Sequence, residues 1–341
     1  MYGPREVSRV VVEVRRELGL SDLVQPEILH VRYDGEDGTM LIVAADRPDK
    51  AAVLGPGGRV LKRVGDILGV KSVAARSQTY LLVKQFRVNL AVSAAKRVLK
   101  YANPTVRGIL ESRIIPMLEN ELKYPERSWF RAEELPEHGI VIAFSGGVDS
   151  TAALLISKLA GLNPIAVTVD AGSWMVPPEV KRIIGRIVDV LGVRHEYLKP
   201  ESGVFGEILG DAVEGRRHPC KRCHSEIEKM VVESAENLGI PFVGFGDLLP
   251  TGNYSIYHIK DSLVRFNVAA ALSLSKTDTI LAARGVGHPG SKFLYGCPLL
   301  RVLHRRHNSF RYISINRVLR ELRAQILEPS QALKYVKSIL S

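Results

Sequence analysis

The chain has 341 residues, of which 46% are hydrophobic and 24% are charged, and its formal net charge is +11. This length allows two or three domains with cores of their own, and the composition is that of a globular protein. The sequence has no apolar run of about 18 residues that could span a bilayer, and the segment Met1–Val7 lacks the apolar core of a signal peptide. We therefore predict a cytoplasmic protein with no membrane partner.

The positive charge is distributed unevenly along the chain. Residues 1–137 carry 22 Lys and Arg against 18 Asp and Glu, residues 138–283 carry 14 against 16, and residues 284–341 carry 11 against 2. Residues 59–113 alone hold 12 basic and 2 acidic side chains. Such basic regions favour a polyanionic partner, RNA or DNA rather than a membrane. A solvated surface of the kind found in thermophiles is the alternative.

The first 78 residues predict a small α+β domain. A helical pattern from Val7 to Leu18 ends at Gly19 and is followed by two strands joined by the turn at 34–38. The order of elements is α-β-β-α-α-β. The later elements are the strands Glu27–Tyr33, Met40–Ala45 and Lys71–Ala75 and the helices Lys50–Leu54 and Arg59–Leu68.

Between the two short helices lies Gly55-Pro56-Gly57-Gly58, a G-x-x-G sequence followed by a basic helix. This pattern and the element order resemble the type II form of the KH RNA-binding domain. The resemblance implies that the glycine backbone contacts single-stranded nucleic acid, because glycine permits close approach. It also implies that the RNA-binding residues are Gly55, Gly58, Arg59, Lys62 and Arg63. A small domain with an ordinary glycine turn is the alternative.

The next segment predicts a helical connector. Leu90, Ala94, Val98 and Tyr101 share one helical face, and Thr105 is a candidate cap for the helix that follows. The nucleotide-binding part is expected to begin near Trp129. The predicted domains are a KH-like domain at 1–78, the connector at 79–128, a catalytic domain at 129–312 and basic C-terminal helices at 313–341.

Strands and helices alternate from Trp129 onward, which predicts an α/β domain with a doubly wound parallel sheet and a ligand site at the carboxyl ends of its strands. The predicted strands are Gly139–Phe144, Pro164–Val169, Val193–Leu198 and Ile240–Phe245. The predicted helices are a helix ending at Ala160, Pro178–Leu191 and Arg222–Leu238.

The sequence Ser145-Gly146-Gly147-Val148-Asp149-Ser150 joins the first of these strands to its helix. Glycines and serines at a strand-to-helix turn let backbone N–H groups converge on an anion beside the positive end of the helix dipole. We therefore predict a phosphate-binding loop. It is not a Walker A loop, because no lysine follows the glycines.

This loop resembles the signature of the PP-loop, or N-type ATP pyrophosphatase, enzymes. The resemblance covers about residues 138–312 and implies adenylation of an acceptor oxygen with release of pyrophosphate. It implies ATP contacts from Ser145, Gly146, Gly147, Asp149 and Ser150, Mg2+ near Asp149, and adenine against Val169 and Asp170. A helix-capping role for Asp149 and an ordinary polar strand end at 169–170 are the alternatives.

The chain has three cysteines, and Cys220 and Cys223 form a C-x-x-C at the start of a predicted helix, with Cys297 alone further on. In a cytoplasmic protein this pattern favours a metal or redox role. Three thiolates suit a 4Fe-4S cluster with one open iron, or zinc if His218 or His224 completes the site. Lys221, Arg222 and the helix N-terminus should lower the thiol pKa values. A persulfide mechanism and a core position for Cys297 are alternatives.

A C-x-x-C with a distant third cysteine in a PP-loop domain resembles the cluster-dependent tRNA thiolases. The resemblance implies an ATP-dependent tRNA sulfurtransferase that adenylates a pyrimidine carbonyl and replaces its oxygen with sulfur. It implies catalytic roles for Asp149, Cys220 and Cys297, tRNA as the substrate, and a sulfur donor that the sequence leaves open. The modified base and a possible homodimer are left open as well.

Near the C-terminus, Arg317, Arg320 and Arg323 lie three residues apart on a predicted helix. This spacing predicts a second basic surface for RNA. Two further functions remain open at this stage. One is an adenylating enzyme for amidation or deazapurine-type chemistry, and the other is a non-catalytic RNA-binding protein that senses ATP.

Overall fold

The computed structural model describes residues 2–20, 25–35, 38–128, 130–200, 203–260, 262–290 and 295–341. Trp129, where the nucleotide-binding part was expected to begin, and residues 36–37 of the predicted turn lie outside the described residues. The chain divides into two compact units, Met1–Phe86 and Arg87–Ser341. The predicted four-part division remains a prediction.

The first unit has the predicted α-β-β-α-α-β order. Its three-stranded sheet pairs β1 with β2 antiparallel and β2 with β3 parallel. Val7, Val11 and Val14 recur at helical spacing and form the buried stripe of α1 in the core of this unit. The elements are α1 (Pro4–Glu17), β1 (Ile28–Asp34), β2 (Thr39–Ala44), α2 (Arg47–Leu54), a 3-10 turn (Pro56–Gly58), α3 (Arg59–Ile67) and β3 (Ser72–Ser77).

The predicted connector is helical, with one difference at a cap. Helix α4 (Gln78–Lys100) is followed by α5 (Pro104–Ile109), a π-helical segment (Leu110–Ile114) and α6 (Ile115–Glu121). Asn103, not Thr105, caps α5, because its Oδ1 accepts the Val106 N–H at 2.9 Å. Pro104 occupies the first helical position, where its missing N–H costs nothing.

The second unit contains a six-stranded sheet in the order β6-β5-β4-β7-β9-β8. Every neighbouring pair is parallel except β8 with β9, a hairpin that the sequence analysis missed. The strands are β4 (Ile140–Ala143), β5 (Pro164–Val169), β6 (His195–Leu198), β7 (Phe242–Phe245), β8 (Ile256–Lys260) and β9 (Leu263–Asn267).

Helices cover both faces of this sheet. Because successive side chains of a strand point to opposite faces, Ile140 and Ile142 pack in one core and Val141 in another. The unit is therefore mixed α/β with a mostly parallel sheet. Its helices are α7 (Val148–Leu159), α8 (Pro178–Leu191), α9 (Val204–Val213), α10 (Cys220–Asn237), α11 (Val268–Ala271), α12 (Lys276–Gly285), α13 (Pro298–Arg306), α14 (Asn308–Arg323) and α15 (Pro329–Leu340).

The strand order reverses between β4 and β7, with β5 and β6 on one side and β7 and β9 on the other. In open α/β sheets the ligand crevice lies outside the carboxyl ends of the strands at such a reversal. The structure thus directs attention to the residues that follow β4 and β7. Within the described ranges, every helix is too short or too polar to cross a bilayer.

Candidate functional site

The Ser145–Ser150 loop follows β4 and leads into α7. Its second residue, Gly146, has a φ of +71°, and a Cβ there would lie 2.8 Å from Cγ1 of Ile184. Only glycine fits both requirements. Within the loop, the Ser150 hydroxyl accepts the Ser145 N–H at 3.2 Å and donates to the Gly147 carbonyl at 3.1 Å. These bonds hold the turn at the N-terminus of α7, where backbone N–H groups lack helical acceptors.

Buried His288 supports the same loop from behind. Its Nδ1 accepts the Gly290 N–H at 3.0 Å, so the proton lies on Nε2, which donates to the Gly146 carbonyl at 2.9 Å. On the side of β7, Gly246 packs against the start of α7. A Cβ on Gly246 would lie 2.8 Å from the backbone carbonyl carbon of Asp149. The loop is therefore fixed from two directions.

Asp149 is held by two side chains from α12. Its Oδ2 accepts a hydrogen bond from Nζ of Lys276 at 2.6 Å, and its Oδ1 accepts one from the Thr279 hydroxyl at 2.7 Å. Burial alone would lower the pKa of Lys276, but the charge of Asp149, together with Tyr335 and Glu321, outweighs it and the pKa is raised. Lys276 is therefore a cation beside the predicted phosphate site.

The predicted adenine contacts lie at the end of the adjacent strand. Val169 is the last residue of β5 and is buried, and β5 pairs with β4. Asp170 accepts the Gly172 N–H at 3.0 Å and forms an ion pair with Lys181 at 2.5 Å. Burial would raise the pKa of Asp170, but these two partners lower it below its usual value. The sheet thus brings 169–170 to the same edge as the 145–150 loop.

The three cysteines come together in the second unit. Cys220 is the first residue of α10, Cys223 lies one turn later, and Cys297 is the N-cap of α13. All three are half-buried free thiols. Cys220 and Cys297 pack against the same small core, and the charge of Cys297 acts on the pKa of both Cys220 and Cys223. We call Cys220, Cys223 and Cys297 the thiol site.

The predicted lowering of the thiol pKa values is wrong. Burial, the largest cause, raises the pKa of Cys220 to about 11 and that of Cys223 to about 12, and it raises that of Cys297 as well. Arg222, expected to stabilise thiolates, instead pairs with Glu207 at 2.6 Å. In this half-buried position, removal from water outweighs the favourable helix ends.

The spacing of the thiols bears on the metal that they fit. Among the described residues, the one group of three possible ligands whose donor atoms all lie within 4.8 Å of one another is His224, Glu228 and Asp247. A zinc ion with Zn–S bonds of about 2.3 Å would hold its sulfurs about 3.8 Å apart. The thiol site is not such a group, and three cysteines are one ligand short of the four that hold a 4Fe-4S cluster.

The two histidines expected to complete a zinc site make other contacts. His218 Nδ1 accepts the Cys220 N–H at 3.4 Å, and burial, with Arg317 and His304, lowers the pKa of His218 to about 4. His224 Nε2 lies 3.2 Å from Oε1 of Glu228. That carboxylate also pairs with Arg265 at 2.6 Å, so a cation already occupies the His224–Glu228–Asp247 group.

Helix α14 lines the space between the thiol site and Asp149. Phe310, Ser314, Arg317 and Glu321 follow one another at helical spacing along one face. Phe310 packs in the small core that includes Cys220 and Cys297, and the Ser314 carbonyl accepts the Tyr295 hydroxyl at 3.2 Å. This face therefore lies against the thiols.

The same face reaches the 145–150 loop through its charged residues. The positive charge of Arg317 acts on Cys220, where it opposes the effect of burial on the thiol pKa, and it also acts on Glu321. Glu321 in turn faces Lys276, the partner of Asp149. The Lys276 N–H is fixed by the Ile326 carbonyl at 2.8 Å. A continuous series of charged side chains thus joins the predicted nucleotide loop to the thiol site.

The basic RNA surface predicted near the C-terminus remains a prediction. Arg317, Arg320 and Arg323 are all exposed, and the charge of Arg317 also acts on Cys220 and Glu321. The spacing of three residues advances about 300° around a helix, so the three side chains fan out rather than align.

The predicted RNA-binding residues lie in the first unit. Gly55, Gly57 and Gly58 all have positive φ, and a Cβ on Gly57 or Gly58 would meet no other atom within 4 Å. Their backbone is therefore open to a ligand. Exposed Arg59 and Lys62 follow on α3, while Arg63 is paired with Glu17 at 3.0 Å.

Sequence reasoning missed Lys276, Thr279, His288, Arg317 and Glu321 as parts of the site. The sequence contained one local indication of these residues, the capping box Ser275–Asp278. It predicts where α12 begins but not that the side chain of Lys276 points toward Asp149. The roles predicted for the cysteines and the loop residues remain predictions.

No known protein family description matches the chain. An uncharacterised protein of Methanocaldococcus jannaschii, MJ1638, is 29% identical over 241 residues, which cover 70% of this chain and 87% of that protein. A second uncharacterised protein of that organism, MJ1599, is 27% identical over 135 residues, covering 38% of this chain and 46% of its own length.

Among solved structures, the chain is similar to the U34-tRNA thiolase NcsA from Methanococcus maripaludis with its 4Fe-4S cluster. The superposition has a TM-score of 0.40 and 15% identity, and it covers 66% of this chain and 77% of that one. A likeness of this degree assigns neither a fold family nor a reaction.

Proposed function

We propose that this protein is an ATP-dependent tRNA sulfurtransferase of the PP-loop type. The observation that carries the proposal is the convergence, within one unit, of a loop suited to phosphate and a group of three thiols, joined by the charged face of α14. A thiolation needs both parts, because a carbonyl oxygen must be made a leaving group before sulfur can replace it.

The residues around the loop can perform the activating step. The N–H groups at the start of α7 and the Lys276 ammonium face the position of the ATP phosphates, and Asp149 is a hard oxygen ligand for Mg2+. The carbonyl oxygen of the base attacks the α-phosphorus of ATP, and pyrophosphate leaves. Lys276 stabilises the charge that develops on the departing pyrophosphate, and Mg2+, when bound, would supply further positive charge there.

The second step transfers sulfur. Sulfur attacks the activated ring carbon, and AMP leaves with the former carbonyl oxygen. The three thiols would hold a 4Fe-4S cluster, which, when bound, supplies an open iron for inorganic sulfur. Arg317 orients the Cys220 sulfur, and Phe310 with Leu299 and Leu300 keeps water from the thiols.

The first unit supports an RNA substrate. Its element order, its parallel pairing of β2 with β3 and its exposed glycine backbone at 57–58 fit a KH-like role in gripping single-stranded RNA. In this role Gly55 shapes the turn, and Gly58, Arg59 and Lys62 contact the backbone of tRNA. Arg63, paired with Glu17, contributes less.

The deciding experiment uses the full-length protein, purified without oxygen and analysed for iron, acid-labile sulfide and zinc. It is incubated with unmodified tRNA, ATP, Mg2+ and sulfide, and AMP and thiolated nucleosides are measured by mass spectrometry. We expect both products, and we expect Cys297→Ala to lose iron and the thiolated nucleoside.

The other outcomes separate the alternatives. AMP formation without a thiolated nucleoside would contradict the proposal and favour adenylation for amidation or deazapurine-type chemistry. ATP binding without AMP would favour a sensor of ATP. Thiolation by a protein that holds zinc or no metal would retain the reaction and remove the cluster from it, since sulfide would then attack the activated carbon directly and displace AMP.

A further inference from the structure

Two tyrosines are exposed on the second unit. Tyr101 is 81% exposed and Tyr254 is 74% exposed, the highest values among the large apolar and aromatic side chains that the structure describes. Large aromatic rings are normally at least partly covered, because leaving apolar area in water is unfavourable. The position of these two rings therefore needs a reason.

The two tyrosines flank a single hydrogen bond. Nη2 of Arg97, near the end of α4, donates to Oδ1 of Asn253 at 2.7 Å. Tyr101 lies one helical turn after Arg97, and Tyr254 directly follows Asn253. This bond thus places the guanidinium between the two backbone positions that present the rings. We call Tyr101, Tyr254, Arg97 and the adjacent Lys100 the tyrosine platform.

The backbone beneath the platform is firmly held. The side-chain amide of buried Asn267 donates to the Tyr254 carbonyl at 2.9 Å, and the Ser255 hydroxyl donates to the Gly252 carbonyl at 2.6 Å. The Val98 carbonyl accepts Nε2 of His258 at 3.1 Å. The rings are exposed on a fixed frame, so little backbone entropy would be lost when a ligand binds.

The charge of the platform identifies its ligand. Neither residues 78–110 nor residues 248–260, the two segments that form it, contain a single Asp or Glu. Arg97 and Lys100 are exposed cations within these segments. Aromatic rings beside cations form the kind of surface on which the bases and backbone of a single strand bind.

The position of the platform relates it to the candidate site. The connection from β7 to β8 begins at Gly246 and Asp247, directly beside the Asp149 backbone, and reaches Tyr254 seven residues after Asp247. The platform and the candidate site are thus joined by one short connection of the second unit.

We propose that the tyrosine platform binds single-stranded RNA, with a base stacked on each tyrosine and the phosphate backbone contacted by Arg97 and Lys100. This inference rests on the proposed function, to which it adds an RNA contact in the second unit that is separate from the G-x-x-G of the first. In this role the platform holds unpaired nucleotides of the RNA substrate.

The test measures binding of the full-length protein to a fluorescent single-stranded RNA and to unmodified tRNA by anisotropy. Removing the aromatic ring on which a base stacks costs ~1–3 kcal/mol of binding free energy, so Tyr254→Ala and Tyr101→Ala should each weaken binding about 5- to 150-fold. Tyr254→Phe keeps the ring and should bind as the unmodified protein does. Arg97→Gln should lower the slope of log affinity against log salt by about 0.7.

Tyr312→Ala is the matched control, because Tyr312 is an exposed tyrosine on basic helix α14 outside the platform. Ultraviolet crosslinking to RNA, read out by peptide mass spectrometry, should place nucleotides on Tyr101 and Tyr254. Equal affinity of the platform and control variants, or crosslinks confined to other residues, would overturn the inference. Binding of a protein instead of RNA by this surface would overturn it as well.

The two proposals fail in different ways. If the protein thiolates tRNA but the tyrosine variants bind RNA normally, only the platform is wrong. If RNA binds through the tyrosines but no AMP or thiolated nucleoside forms, the sulfurtransferase proposal is wrong and the platform remains.

Discussion

The 145–150 loop and the thiol site are built in opposite ways. The loop is one short segment whose shape follows from its own residues, a glycine at positive φ and serines that bond within the turn. The thiol site combines the start of α10 with the N-cap of α13, and its wall comes from α14.

This difference shows where the chemistry of each part is decided. The loop can bind an anion by virtue of local backbone geometry. The thiols depend on burial, which raises their pKa values, and on the positive charge of Arg317, which acts against that effect at Cys220. Residues from α12 and α14 connect the two parts, so a change in the connecting residues should affect both.

The largest effect is expected for Asp149→Asn. Asparagine can still accept the Thr279 hydroxyl, but it loses the charge that pairs with Lys276 and would hold Mg2+. We expect AMP formation to fall ~100- to 1000-fold, as when a charge-stabilising group is removed from an active site. Asp189→Asn, on α8, is the control. Normal AMP formation by Asp149→Asn would remove Asp149 from the mechanism.

The second-largest effect is expected for Gly246→Ala, which changes the packing of the backbone beside the loop. The new Cβ of Gly246→Ala would lie 2.8 Å from the Asp149 carbonyl carbon and the Ser150 nitrogen, so the loop must shift. We expect a loss of ~1–3 kcal/mol in unfolding free energy and weaker ATP binding. Gly185→Ala, within α8 and with open space at its Cβ, should be neutral or stabilising. Calorimetry and nucleotide titration compare the two, and equal behaviour would contradict the close packing.

The connecting series can be tested at Arg317. Arg317→Gln removes the positive charge that acts on Cys220 and on Glu321. A change of one pKa unit in a group at the site corresponds to ~1.4 kcal/mol, so we expect tRNA thiolation to fall about tenfold. Arg323→Gln removes another exposed arginine of the same helix and should retain activity. Equal rates for the two variants would show that Arg317 is only a surface residue.

The smallest effect is expected for the pH dependence of stability, through His195 at the start of β6. The Thr168 hydroxyl donates to the Phe144 carbonyl at 2.6 Å, so His195 must donate to Thr168 from Nε2 at 2.9 Å. Burial, the largest cause, lowers the pKa of His195 below 6.5. Protonation of His195 therefore does not reduce the free energy of unfolding above pH 6.5. Below pH 6.5 this free energy decreases as the pH falls toward the pKa of His195 in the folded state.

The variant His195→Gln keeps a donor for Thr168 and cannot be protonated. Between pH 7.5 and 5.5 the unmodified protein should lose more thermal stability than this variant, as measured by the unfolding midpoint. An equal loss in both proteins would show that His195 titrates alike in the folded and unfolded states.

Much of the fold could be predicted because it depends on local patterns. The strand Pro164–Val169 and the helix Pro178–Leu191 have the predicted bounds, since a buried apolar run and an amphipathic pattern were each bounded by proline or glycine. The hairpin of β8 and β9 was missed. Its antiparallel pairing at the sheet edge is decided by contacts with β7, which no short sequence window contains.

The site was predictable only where chemistry and local geometry coincide. Serines and glycines at a strand-to-helix turn indicated a phosphate loop, and C-x-x-C indicated a metal or redox role. The thiol pKa values were misjudged because charge near Cys220 is visible in the sequence, whereas burial is not. Lys276 and Arg317 were missed for a related reason, since their direction depends on how α12 and α14 pack.

The contribution of α14 has a consequence for shortened relatives of this chain. A homologue that ended before Asn308 would keep the 145–150 loop and all three cysteines, and a motif search would score it as complete. It would nevertheless lack Phe310, Arg317 and Glu321, the side chains that line the thiols and face Lys276. Possession of the motifs alone is therefore not sufficient evidence that such a protein shares the activity proposed for this one.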